Sequence, residues 1–228
     1  MNKEINGLYA ITDEDLLGKD IFSSAIQAVL DGGARIVQYR DKSADFNRRR
    51  AEAKIVVDAC ESAGALSIIN DDVELAYAVN ADGVHLGQSD QTLSAAREIL
   101  GASAIIGISC YNRPELARDA ASSGADYVAV GSIYPSSTKT DAISASFVDL
   151  AEVVETVQLP VVAIGGITLD KIPQLYSVGV SAIAAINAVF GDTPILELSD
   201  PQAENLVLES IREKALLFSQ EWSRCEQI

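Results

Sequence analysis

Five polar segments carry whatever chemistry this chain can do: Gln38-Tyr39-Arg40-Asp41-Lys42, Asn70-Asp71-Asp72, Gly87-Gln88-Ser89-Asp90, Ser136-Ser137-Thr138-Lys139 and Gly165-Gly166. Each directly follows a short apolar, β-branched run. Pooled on one surface, they would supply carboxylates, three cations, several hydroxyls and a glycine pair. That set suits a phosphorylated substrate and a hard metal ion. Mg²⁺ takes one or two carboxylates and fills its octahedron with water and phosphate oxygens. Arginine offers phosphate a planar fork and lysine a point charge.

Asp71 and Asp90 close the third and fourth apolar runs. Adjacent strands lie about 4.8 Å apart, so the two carboxylates converge across neighbouring loops and form a candidate metal pair. The competing reading is that Asp71 or Asp72 caps the next helix and Asp90 the one after. Arg40 and Lys42 leave the second run on the same face if its strand continues that far. With Lys139 they form a cationic wall for a diphosphate; otherwise all three are solvated surface cations. Gly165-Gly166-Ile167-Thr168 and Ile186-Asn187-Ala188 follow the last two runs, where backbone amides of (β/α)₈ barrels build a phosphate pocket. His85 is the only histidine. It can act in acid-base chemistry, but nothing beside it in sequence is a plausible nucleophile, which favours a barrel-interior place. Ser109 is a candidate donor to phosphate or to the metal's surroundings, and Cys110 reads as packing.

The elements that must hold these residues alternate. Leu8 to Thr12 reads as a strand and Phe22 to Leu30 as a helix stopped by Asp31-Gly32-Gly33. Ile36 to Tyr39 is the next strand, Asp45 to Ser62 a long charged helix, Leu66 to Ile69 a strand and Val73 to Val79 a helix. Further strands fall near Gly83–Leu86, Ala104–Ile108, Tyr127–Val130 and Val161–Ile164, with Val180–Ile186 as the eighth. Glycines at Gly64, Gly124 and Gly179 mark helix-to-strand junctions. Eight apolar strands with crossover helices predict an α/β fold, a (β/α)₈ TIM barrel, as one domain over residues 1–228. That architecture puts all five polar segments on the carboxyl ends of the strands. Two segments depart from the repeat. Gly131 to Ala145 is long enough to be a lid over the site. A final helix at about 203–222 either closes the barrel or packs on a neighbouring subunit, which leaves room for a homo-oligomer.

The chain has 228 residues, 48% of them hydrophobic, with 17 basic against 33 acidic residues and a formal charge of −16. This charge opposes nucleic-acid backbones and anionic membranes as partners. It does not oppose a small phosphate ester, because charges are screened beyond roughly 8 Å. Cys60, Cys110 and Cys225 suggest neither a disulfide framework nor a zinc site. No leader-like start and no run approaching about 20 apolar residues is present, so a cytoplasmic location is expected.

The segments just described, in order from about Leu8 to Phe190, resemble thiamine phosphate synthase. The resemblance rests on Val37-Gln38-Tyr39-Arg40-Asp41-Lys42, Ile69-Asn70-Asp71-Asp72, Gly83-Val84-His85-Leu86-Gly87-Gln88-Ser89-Asp90, Gly131-Ser132-Ile133-Tyr134-Pro135-Ser136-Ser137-Thr138-Lys139 and Ile164-Gly165-Gly166-Ile167. It implies a transferase of thiamine biosynthesis. Such an enzyme joins 4-amino-5-hydroxymethyl-2-methylpyrimidine diphosphate and 4-methyl-5-(2-hydroxyethyl)thiazole phosphate to thiamine phosphate, using Mg²⁺ and releasing diphosphate through a carbocation-like state. By the same resemblance Asp71 and Asp90 hold Mg²⁺, and Arg40, Lys42, Asn70 and Lys139 bind diphosphate. Gln38 meets the aminopyrimidine edge and Ser109 lines the diphosphate side. Ser136, Thr138, Gly166 and the amides around Ile186 and Asn187 take the thiazole phosphate. Arg40, Lys42 and Lys139 are the expected catalytic groups. Ser132, Ser136 and Asn187 stand where the family usually has proline, threonine and serine. The alternatives are a thiazole tautomerase on the same barrel, a non-catalytic phosphate-binding barrel, and a barrel isomerase with His85 or a carboxylate as base.

Overall fold

A computed structural model describes residues 4–135, 145–191 and 201–227. Eight strands run parallel in the order in which the chain makes them and close on themselves: β1 (Gly7–Ile11), β2 (Ile36–Tyr39), β3 (Leu66–Asn70), β4 (Gly83–Leu86), β5 (Ile105–Tyr111), β6 (Tyr127–Val130), β7 (Val161–Ile164) and β8 (Ala182–Ala185). Closure is made by β1 pairing with β8, Leu8 opposite Ile183 and Tyr9 opposite Ala184. The (β/α)₈ barrel expected from the alternation is the fold observed.

Alternation along each strand separates two cores. Tyr9 and Ile11 of β1, Ile36 of β2, Leu66 and Ile68 of β3 and Tyr127 of β6 fill the barrel interior. Leu8, Ala10, Val37, Ile69 and Val128 face the helices. With both faces buried, a strand must be apolar throughout, which is why the runs read as continuous. The interior ring of Tyr127 needs a hole to occupy. Gly107 provides it, since a Cβ there would lie 2.0 Å from the phenol ring.

The outer ring comprises α1 (Phe22–Asp31), α2 (Phe46–Ala63), α3 (Val73–Val79), α4 (Leu93–Leu100), α5 (Pro114–Ser122), α6 (Phe147–Thr156) and α7 (Ile172–Val178). After β8 come a one-turn α8 (Asn187–Phe190) and the long α9 (Pro201–Cys225). α9 lies against α1, α7 and β1, so it closes the helical ring, the first of the two placements expected for it. Its approach to α1 is close: a Cβ on Gly32 would sit 2.5 Å from that of Ala215. Trp222 fixes the far end, donating from Nε1 to Asn6 Oδ1 at 2.8 Å and meeting the Tyr176 ring edge-on.

Local signals set the boundaries. Asp45, Asp72 and Thr92 accept hydrogen bonds from the first turns of α2, α3 and α4, and Ser146 with Asp149 forms a reciprocal capping box on α6. α2 ends at Gly64 in a left-handed conformation, φ 70°. β5 runs three residues past its expected end at Ile108, because a bulge between Ser109 and Tyr111 lets pairing with β6 continue. β8 is shorter than the expected Val180–Ile186. Among the described residues no helix is long and apolar enough to cross a membrane.

Candidate active site at the carboxyl ends of the strands

β3 ends at Asn70, and Asp71 then turns back in a left-handed conformation, φ 61°, with its amide donating to His85 O at 2.8 Å. A non-glycine residue in that region is uncommon and fixes where the side chain points. The capping task falls to its neighbour: Asp72 accepts from Leu75 N at 2.8 Å and also pairs with Arg49 at 2.6 Å. Asp90 does not cap α4 either, since Thr92 does. Its Oδ2 accepts from Gly87 N at 2.6 Å. Lys42 Nζ stands 3.3 Å from Asp71 Oδ2.

The Asp90 carboxyl titrates above the usual carboxylate range. Burial is the largest cause, and the neighbouring Asp71 carboxyl adds to it, while the Gly87 amide and Lys42 pull the other way. A carboxyl whose ionisation is made costlier by a second carboxyl beside it marks a place where a cation would be stabilised. Among the described residues no group of three or more His, Cys, Asp or Glu side chains gathers to hold a metal. The pair fits an ion that completes its shell with water and substrate oxygens, as Mg²⁺ does.

Arg40 and Lys42 do not share a face. β2 stops at Tyr39, so the condition for a common face fails and the two cations go to opposite neighbours. Arg40 reaches the loop after β1, 3.1 Å from Asp13 and 3.6 Å from Glu14. Its backbone is tied there too, its amide donating to Thr12 Oγ1 at 2.8 Å. Lys42 turns towards Asp71. Gln38 points into the barrel and is buried, its Nε2 donating to Tyr9 Oη at 2.7 Å.

On the opposite side of the rim, Gly165 and Gly166 have φ of 105° and 58°. The chain after β6 lies directly on them: Ile133 N and Tyr134 N donate to Ile164 O and Gly165 O at 2.9 and 3.0 Å. A Cβ on Gly166 would be 2.2 Å from Pro135 O. Packing alone thus demands glycine here. Asn187 opens α8, next to Ile186, whose carbonyl accepts from Val189 N at 3.1 Å. Asn70 is the last residue of β3, and Ser109 lies in β5 with its Oγ 2.9 Å from His85 Nε2. Ser136, Thr138 and Lys139 lie outside the described residues. A cavity of about 560 Å³ lined by Asn6, Asp126, Tyr176 and Trp222 lies at the other end of the barrel, the end that bears on stability in this architecture.

A family model for thiamine monophosphate synthase matches residues 8–189. The chain belongs to the thiamine monophosphate synthase family. It is 46% identical over 202 residues to a thiamine-phosphate synthase of Thioalkalivibrio sulfidiphilus, covering 89% of this chain and 93% of that one. With the Nitrosococcus oceani enzyme of the same name it shares 48% over 190 residues, 83% and 88% of the two chains. A solved thiamine phosphate pyrophosphorylase from Pyrococcus furiosus superposes with a TM-score of 0.76 at 34% identity, covering 93% and 96%.

Family membership gives the rim its context, and the structure adds residues that the motifs did not single out. Asp13 and Glu14 are the partners of Arg40, and their signal was positional, a polar cluster directly after an apolar run. Tyr9 and Tyr127 gave none, since a phenol inside an apolar strand reads as core. They join Gln38, His85 and Ser109 across the barrel: Tyr9 Oη is 2.9 Å from Tyr127 Oη, which is 2.9 Å from His85 Nδ1. His85 occupies the interior place expected of it.

Proposed function

We propose that this chain joins 4-amino-5-hydroxymethyl-2-methylpyrimidine diphosphate to 4-methyl-5-(2-hydroxyethyl)thiazole phosphate, giving thiamine phosphate and diphosphate. Membership of the family supports this reading. The observation that carries it is the Asp71–Asp90 pair with Lys42 beside it: two carboxylates on adjacent loops, neither serving as a helix cap, with a cation 3.3 Å from one of them. A tautomerase has no use for that arrangement.

The scissile bond joins the pyrimidine methylene carbon to the diphosphate oxygen. Its electron pair leaves with diphosphate, and the pyrimidine ring stabilises the methylene cation that remains. The thiazole nitrogen then attacks that carbon, so the protein supplies no nucleophile. What it supplies is charge and alignment. Lys42, Arg40 and Lys139 stabilise negative charge as it grows on the leaving group. Asp71 and Asp90 hold Mg²⁺, which adds positive charge for the diphosphate to bind. Asn70 and Ser109 donate to the diphosphate, and Gln38 orients the aminopyrimidine edge. The amides of Gly166, Ile186 and Asn187, with the Ser136 and Thr138 hydroxyls, fix the thiazole phosphate so that its nitrogen faces the methylene carbon. The proposal includes a cytoplasmic enzyme acting on these two small molecules, with room for a homo-oligomer and, at a formal charge of −16, no nucleic-acid or anionic-membrane partner.

The test is to mix purified protein with both substrates, with Mg²⁺ or with EDTA, and to measure thiamine phosphate as its fluorescent oxidation product. Product formed only with the metal is the expected result. Product formed equally in EDTA would remove the metal role, and none from folded protein would remove the reaction.

A further inference from the structure

The barrel interior holds one continuous polar relay among apolar side chains. Gln38 Nε2 donates to Tyr9 Oη at 2.7 Å, Tyr9 Oη meets Tyr127 Oη at 2.9 Å, Tyr127 Oη meets His85 Nδ1 at 2.9 Å, and His85 Nε2 meets Ser109 Oγ at 2.9 Å. Its five members come from five strands, and its two ends are the residues assigned above to the pyrimidine and diphosphate subsites. Buried polar groups of this kind are costly unless every donor finds an acceptor.

The Gln38 end sets a direction. An amide nitrogen can only donate, so Tyr9 Oη accepts from it; the arrangement in which each buried hydroxyl both accepts and donates within the relay then has Tyr9 giving its own proton to Tyr127. Tyr127 in turn gives its proton to His85 Nδ1. The imidazole proton must then sit on Nε2 and point at Ser109 Oγ, which leaves the serine proton for a group outside the relay. Burial raises both phenols well above their ordinary pKa, so each keeps one proton to give. Reversing the Gln38 amide would reverse every bond and place the imidazole proton on Nδ1.

We propose that the relay is locked in the first polarity, and that Tyr9, Tyr127 and His85 are positioning residues for both subsites at once. They present Gln38 Oε1 as an acceptor for an exocyclic amine, and the Ser109 hydroxyl as a donor to an anionic oxygen. The assignment of those two groups rests on the proposed function. In the reversed polarity Gln38 would offer an N–H instead and favour a 4-oxo over a 4-amino pyrimidine.

Because His85 is the only histidine, the ¹⁵N spectrum of untagged, ligand-free protein contains a single imidazole. The expected result is a protonated Nε2 and a bare Nδ1 at neutral pH, with Tyr127→Phe abolishing that single tautomer. A proton on Nδ1, or on both nitrogens, would overturn the proposal. The second measurement is the ratio of kcat/KM for the 4-amino over the 4-oxo pyrimidine diphosphate, compared between wild type and Tyr9→Phe so that intrinsic reactivity cancels. Freed of its partner, the Gln38 amide can turn, and the ratio should fall about tenfold or more, the worth of one mismatched polar contact. An unchanged ratio in folded Tyr9→Phe would overturn the proposal. The tautomer is read without substrate, so it tests the relay separately from the reaction; failure of the wild type to make thiamine phosphate would strike the proposed function instead.

Discussion

The two ends of the barrel use the same side chain in opposite ways. At the amino ends of the strands, Asp82 and Asp126 stand just before β4 and β6 and staple each strand to the one before it. Asp82 Oδ2 accepts from the Ser67 amide and hydroxyl, both at 2.9 Å, and Asp126 Oδ2 from the Ile106 amide at 2.8 Å and Arg97 at 2.7 Å. At the carboxyl ends, Asp71 lies beside Asp90, and the half-exposed Lys42 stands 3.3 Å from Asp71. An acid that takes an amide of the preceding strand together with a side-chain donor works for the fold. One left facing a second acid is available to a ligand.

The sharpest way to break this contrast is Asp71→Ala. Loss of a preorganised electrostatic group should lower kcat/KM for thiamine phosphate formation by about 10²-fold or more, while the circular-dichroism melting curve stays where it was. Wild-type turnover would put Asp71 in the same class as Asp82. Gly166→Ala comes next. Its Cβ would collide with Pro135 O, 2.2 Å away, at a φ of 58°, so the chain after β6 must move. The expected readout is a rise of about tenfold in KM for the thiazole phosphate, the loss of roughly one charge-assisted contact. Asp82→Ala should do the reverse of Asp71→Ala: it leaves a buried Ser67 amide without its acceptor, a cost of about 1–3 kcal/mol in urea unfolding, with kcat unchanged. A fall in kcat there would erase the distinction between the ends.

The smallest effect concerns pH. Burial raises the Asp41 carboxyl, but the Ser43 hydroxyl and amide and the Arg48 guanidinium outweigh it and hold the group below its ordinary value. A lowered carboxyl gives its stability in full above the unfolded value of about 3.9, and that stability is lost as pH falls through the native value. Replacing Arg48 with Met should therefore flatten the decline of melting temperature from pH 5 to pH 3. An identical acid limb would assign that limb to other carboxyls.

Most of the scaffold was legible because a buried parallel strand leaves a short apolar run, and a helix end leaves a cap or a glycine. The misses are places where a third partner decides. Asp71 and Asp72 are equivalent as letters; only the left-handed turn at Asp71 assigns the cap to one and the rim to the other. Arg40 and Lys42 looked like companions until β2 ended at Tyr39 and the acids after β1 drew Arg40 aside. The relay was invisible because it depends on which strands face each other across the barrel, a property of register that no local spacing encodes. Of the candidate site, the two acids, Lys42 and the glycine pair were placed on the rim from their position after strands, which is a rule of the architecture rather than of any one motif.

The closure of the ring by α9 against α1, and of the sheet by β8 against β1, joins segments separated by nearly the whole chain. During synthesis β1 emerges early with one edge that has no mate until Ala182–Ala185 follow, and the face of α1 around Gly32 stays open until Ala215 arrives. An unpaired edge of this kind is a template for the wrong strand. The segments made last thus cover surfaces of β1 and α1 made long before, and a chaperone that shields those two surfaces would guard the step at which this barrel is most exposed to misassembly.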